Sequence, residues 1–156
     1  MKRTLIILGL ISLIIFTLMR CDIESVPINT NNSSQPKQVI ENCFKFYNEK
    51  NRQGLLSTLT RWHDRSNVVF GFENLIFIKL GSIGNDDMNM TNSYLIYGRG
   101  KVNGVKEKNV VSYKVTYVSL YSKDTPPWSS GIKNEYFTLI KESDDAPWLI
   151  DDIGQG

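Results

Sequence analysis

Val111-Ser112-Tyr113-Lys114-Val115-Thr116-Tyr117-Val118-Ser119-Leu120-Tyr121 is the stretch that decides how this chain folds. Val111, Tyr113, Val115 and Tyr117 alternate with Ser112, Lys114 and Thr116, the period of two expected of a strand with one face buried. β-branched and aromatic side chains suit such a half-buried pleated surface. At Val118 and Leu120 apolar character spreads to the second face. That change predicts a strand whose far half is covered on both sides, or a bulge that rotates it.

Strands flank this one in the sequence. Downstream, Pro126, Pro127, Trp128 and Gly131 mark a loop, and residues 132–141 and 148–153 read as the two strands of a closing hairpin around an acidic turn. Upstream, residues 68–70 and 75–80 are β-branched and aromatic, and residues 94–97 read as a further strand. Asn103-Gly104 is a turn dipeptide. Before the strands comes helical spacing. Val39, Ile40, Cys43, Phe44 and Tyr47 share one face, opposite Lys37, Glu41, Asn48 and Glu49. Pro36 suits the first helical position, with Ser34 as its candidate cap. Asn51 is placed to cap a short second helix that buries Leu55, Leu56 and Leu59. The expected fold is α+β: N-terminal helices packed on a curved antiparallel sheet of about five or six strands. A long sheet curling around a helix leaves a cone-shaped cavity.

The N-terminus is of another character. Lys2 and Arg3 precede sixteen uncharged residues, 4–19, which as a helix would reach roughly 24 Å. That is short for the ~30 Å hydrocarbon core and suits a signal-peptide apolar region. The run then reads Leu18-Met19-Arg20-Cys21, which resembles a lipobox with Cys21 as the site of lipid attachment. Arg20 departs from that pattern, so an uncleaved membrane anchor with Arg20 at the outer interface is the rival reading. Residues 22–35 hold Pro, Asn, Ser and Thr and little that is apolar, and read as a flexible tether. The chain thus divides into an anchor at 1–21, a tether at 22–35 and a domain at 36–156. Its expected place is the extracytoplasmic face of the cell membrane.

The formal charge of +2 belongs to the anchor. Without Lys2, Arg3 and Arg20, 15 basic residues face 16 acidic ones. Nucleic acid is therefore not an expected partner. If Cys21 is acylated, Cys43 has no cysteine to pair with and reads as a buried free thiol.

The closing segment Glu135-Tyr136-Phe137-Thr138-Leu139-Ile140-Lys141, followed by Pro147-Trp148-Leu149-Ile150-Asp151-Asp152, looks like the end of many NTF2-like (cystatin-like) secreted domains. Gly71-Phe72-Glu73-Asn74-Leu75 with Ile78-Lys79-Leu80 resembles an uncharacterised NTF2-like family of Gram-positive bacterial lipoproteins. The resemblance covers about residues 37–156. It implies the cone-like fold and carries no biochemical activity, because a superfold hosts many unrelated functions.

The candidate chemistry is sparse. His63-Asp64 sits after a helix and reads as a loop or cap rather than an acid–base pair. Asp151 and Asp152, on the last strand, are expected to face opposite sides, one of them towards the cavity. Asp86-Asp87 and Asp144-Asp145 lack the spacing of a Ca²⁺ loop, and no histidine–cysteine cluster suggests zinc. No metal or other cofactor is expected. The aromatic side chains around strand 111–121 suit a wet pocket mouth or an interface. The leading expectation is a non-enzymatic domain that binds a small ligand or a protein partner, with Trp62, Tyr113, Tyr117, Trp128 and Asp152 as its walls. The alternatives are an enzyme using Asp152 or Asp64 as its acid–base carboxylate, and an accessory protein that forms a homodimer through its open sheet face.

Overall fold

The computed structural model describes residues 35–155. The expected anchor and the expected tether up to residue 34, with Cys21 and Ser34, lie outside the described residues. Helix α1, Pro36–Asn48, starts at its proline as expected, with Gln35 at the N-cap and no side-chain cap bond. Its apolar stripe of Val39, Ile40, Cys43 and Phe44 is buried. Helix α2, Arg52–Leu56, is capped by Asn51, whose side chain accepts from the Gly54 amide at 2.9 Å. A single 3₁₀ turn, Arg61–His63, follows.

The sheet is antiparallel and open, in the order β1 (Leu75–Asp86), β2 (Val110–Tyr121), β3 (Gly131–Ile140) and β4 (Leu149–Gly154). Two strand expectations are corrected. Residues 68–70 form no strand, and residues 94–97 belong to helix α3, Met88–Tyr97. Asp87 begins that helix by accepting from the amides of Asn89 and Met90. Such a cap favours a helix start by about 1 kcal/mol, and burial of Thr91 and of Tyr94 against Val110 and Ile140 adds to it. The described sheet therefore has four strands, not five or six. Helix α4, Arg99–Asn103, ends at Gly104 in the left-handed conformation (φ +65°), so Asn103-Gly104 reverses the chain as a helix terminus.

The face of β2 carrying Tyr113 and Val115 meets α1, and with Leu55, Leu59, Phe137, Leu139 and Ile150 forms the main core. A smaller cluster of Tyr94, Val110 and Ile140 lies on the opposite face, where α3 packs. The two-sided half of β2 is thus its beginning, Val110 and Ser112, whereas Leu120 at its far end is exposed. The sequence pattern predicted the reverse. Ser112 is fully buried because its hydroxyl bonds that of Thr138, opposite it on β3, at 2.8 Å.

A register shift on β3–β4 positions the site. Ile150 pairs with Leu139 and Asp152 with Thr138, so Asp151 is an extra residue on β4. Strict alternation would have put the two aspartates on opposite faces. The bulge instead turns both towards α3, a common use of an inserted residue. The free edge of β4 is closed by the 58–60 segment: the Thr60 amide donates to the Ile150 carbonyl and the Ile150 amide to that of Thr58, both at 2.9 Å.

Candidate functional site

Between α1 and the far half of the sheet lies a cavity of about 590 Å³. Its apolar wall includes Phe44, Leu55, Leu59 and Phe137, supplied by the stripe of α1, by α2 and the segment after it, and by β3. Phe44 contacts Tyr117 and Phe137, with ring centroids 5.0 and 5.7 Å apart. The polar groups cluster on the strands. The Tyr117 hydroxyl donates to Glu135 Oε2 at 2.8 Å, and Lys133 Nζ donates to Ser129 Oγ at 2.5 Å. Tyr47 donates to the Phe70 carbonyl.

Trp128 stands at the mouth on the loop that follows β2. That loop is held by Asp124, which accepts from the Ser130 amide and hydroxyl at 2.8 and 2.9 Å. Gly71 makes room for the indole. Its φ is +65°, and a Cβ there would lie 2.7 Å from Trp128 Cδ2.

Burial raises the pKa of Tyr117, and the Glu135 carboxylate beside it raises it further. Burial likewise raises Tyr47 and Tyr121. The three phenols therefore stay neutral and able to donate hydrogen bonds. Cys43, also on the wall, is pushed up to about 12 by burial, partly offset by its contact with the Thr58 hydroxyl. It remains a thiol at neutral pH, whereas nucleophilic attack needs the thiolate. The cavity thus offers apolar surface and neutral phenol and thiol groups, with one amine, one carboxylate and the His63 imidazole.

A second cleft, of about 850 Å³, opens beside the β4 bulge. On its floor Asp151 is 1% exposed. Arg99 meets it with both Nε (2.9 Å) and Nη2 (3.1 Å), Tyr94 with its hydroxyl (2.6 Å), Thr60 with its hydroxyl (2.7 Å) and Asn103 with Nδ2 (3.1 Å). Burial alone would raise the carboxyl pKa. The bonds from Arg99, Tyr94 and Thr60 outweigh it and hold the group below the usual carboxylate range. Asp151 is therefore a fixed anion that ties α3, α4, β4 and the residue before the 3₁₀ turn together. Trp62 lies in the same cleft, with the guanidinium carbons of Arg65 and Arg99 at 3.6 and 3.9 Å from its ring centroid.

The residues expected from sequence are therefore dispersed. Tyr117 and Trp128 do share the cavity under α1, and His63 lines it as well. Tyr113 is buried in the core, with Lys37 over its ring at 5.3 Å. Trp62 lines the second cleft, and Asp152 a recess of about 240 Å³ beside Tyr94 and Tyr97. Asp64 is exposed, 3.9 Å from Arg52. His63 donates to or accepts from no acidic side chain among the described residues. Its Nε2 sits 3.0 Å from the Asp151 carbonyl oxygen.

Sequence reasoning missed Tyr47, Lys133 and Glu135. Glu135 was discoverable, because it lies opposite Val115 and beside Tyr117 once the β2–β3 register is known. The Asp151 cluster was hidden more deeply: its partners lie 48 to 91 residues away in sequence.

Residues 37–154 match a family model described as a domain of unknown function (DUF4829). No curated protein matches, and no solved structure does.

Proposed function

The chain belongs to the DUF4829 family, whose function is unknown, and we propose that it is a non-catalytic binding domain held at the outer face of the membrane. The observation that carries the binding role is the cavity under α1, where Tyr117 and Trp128 meet an apolar wall and a polar strand face. Its size falls within the roughly 300–1,000 Å³ of small-molecule sites, and its mix of apolar lining with few polar groups is what such sites use. The ligand this favours is a small amphipathic molecule with an apolar body against Phe44, Leu59 and Phe137. Its polar end would meet Tyr117, Lys133 and Glu135.

An acid–base enzyme is the less supported reading. Asp64 is exposed beside Arg52 and Asp152 lines a small recess apart from the cavity, while Asp151, the buried carboxylate, is saturated by donors and held ionised. We read the fold as NTF2-like, since a helix lies against one face of an antiparallel sheet and a pocket remains between them. We read Cys21 as the lipid attachment point, or else residues 4–19 as an uncleaved anchor, with the following polar residues as the tether.

Native mass spectrometry of the full chain, released gently from detergent, tests the binding role. The expected result is a mass excess that disappears on denaturation and is reduced in W128A. A bare mass in the wild type, together with unchanged spectra on offering amphipathic ligands, would overturn it.

A further inference from the structure

We propose that the cleft floored by Asp151 is a second binding site, one that takes a phosphate group carried on a mono- or diester. It is independent of the cavity under α1. Arg61, Arg65, Arg99, Lys106 and Lys141 line it, against Glu142, Asp144 and Asp151. Two of those carboxylates are engaged. Asp151 is bonded to Arg99, and Asp144 accepts from Lys108 at 2.7 Å and from Asn109 at 2.9 Å. Glu142 is left to balance Arg61, Arg65, Lys106 and Lys141. That surplus suits an anionic group that presents several oxygens to the guanidinium and ammonium donors, as a phosphate ester does.

The arginines are also pre-set. Both guanidinium groups lie against the Trp62 ring, their carbons 3.6 and 3.9 Å from its centroid, so the indole orients Arg65 and Arg99 together. Arg65 is fixed at its other end by donating Nε to the Trp62 carbonyl at 3.0 Å. Arg99 is fixed by Asp151. Arg65 engages Nε on the protein, and Arg99 engages Nε and Nη2. Among the described residues, both Nη groups of Arg65 and Nη1 of Arg99 have no protein acceptor. A planar fork whose geometry is already fixed loses little entropy when it meets phosphate oxygens. The cleft is much larger than a bare ion needs, so the phosphate arrives attached to a larger body. That body is either a phospholipid, through its headgroup, or a soluble ester, and the two share the same anionic chemistry.

Isothermal titration calorimetry on the full chain in dodecyl maltoside tests this, with glycerol 3-phosphate and short-chain dihexanoyl phosphatidylglycerol as probes. At least one probe should bind, more weakly as NaCl is raised. Affinity should fall about tenfold or more in R61Q/R65Q or in K106Q/K141Q and stay unchanged in K79Q, an exposed lysine on β1. Tighter binding of the phosphatidylglycerol assigns the site to a lipid headgroup, and equal or tighter binding of glycerol phosphate assigns it to a soluble ester. The proposal is overturned by no heat from either probe at millimolar concentration. It is equally overturned by binding that both double variants retain in full.

Discussion

Replacing Asp151 with asparagine removes a charge and keeps a shape, and the structure sets what that should cost. The carboxylate accepts five hydrogen bonds from four residues, two of them from Arg99. An amide in its place turns an NH₂ group towards donors and leaves Arg99 without its counter-charge. Removing one partner of a buried ion pair costs roughly 3–5 kcal/mol. The Arg99 side chain keeps 24% of its surface exposed against 1% for Asp151, so it can recover some hydration from the cleft. The lower end, about 3 kcal/mol, is therefore expected for D151N, a large share of the roughly 5–15 kcal/mol that holds a domain folded.

The pH dependence gives a second reading of the same bond. The folded pKa is depressed, so the wild type has the full contribution above the unfolded value of about 3.9 and loses it as pH falls through the folded pKa. D151N has no such titration. Urea melts should show the gap between the two proteins at pH 7 and its narrowing below pH about 4. A gap under about 1 kcal/mol at pH 7, or one that stays constant into strong acid, would refute the reasoning.

Asp87→Ala removes the cap of α3 and should cost about 1 kcal/mol in a denaturant melt; no change would mean the helix is held by packing against β2 alone. Gly71→Ala meets both an unfavourable φ and the Trp128 ring. It should destabilise by about 1–2 kcal/mol and shift the Trp128 fluorescence in the folded state, and an unchanged spectrum would count against that contact. Asp144 is held down at about 2, first by its hydrogen bond from Lys108. In K108Q its carboxyl resonance, followed by ¹³C NMR, should titrate closer to an ordinary aspartate, and a titration still near 2 would assign the depression to Asn109 and the Lys106 charge instead.

The long-period features of this fold were legible because they rest on local physics. Pro36 and the stripe Val39, Ile40, Cys43 and Phe44 needed only helical spacing, and β2, β3 and β4 needed only alternation. Tyr94 to Tyr97 misled because aromatic and β-branched content outweighed a capping signal, Asp87, placed seven residues upstream of Tyr94. The Asp151 bulge could not be seen at all. Alternation assumes one residue per step, and an insertion is defined only against the partner strand. For the same reason Tyr117 and Trp128 could be grouped from their neighbourhood on one strand and loop. Trp62, in contrast, went to the other cleft once the 3₁₀ turn fixed its direction.

The protonated thiol of Cys43 gives α1 a built-in sentinel. Cys43 is 5% exposed on the cavity wall, and a thiol held far above its usual pKa by burial reacts when local opening exposes it to water and lets it ionise. Its labelling rate then measures the free energy of that opening. Whatever fills the cavity favours the closed form by RT ln(1 + [L]/Kd), irrespective of its chemistry. In a C21S background, extracts that silence this one sulfur would reveal a cognate molecule before anything is known of its structure.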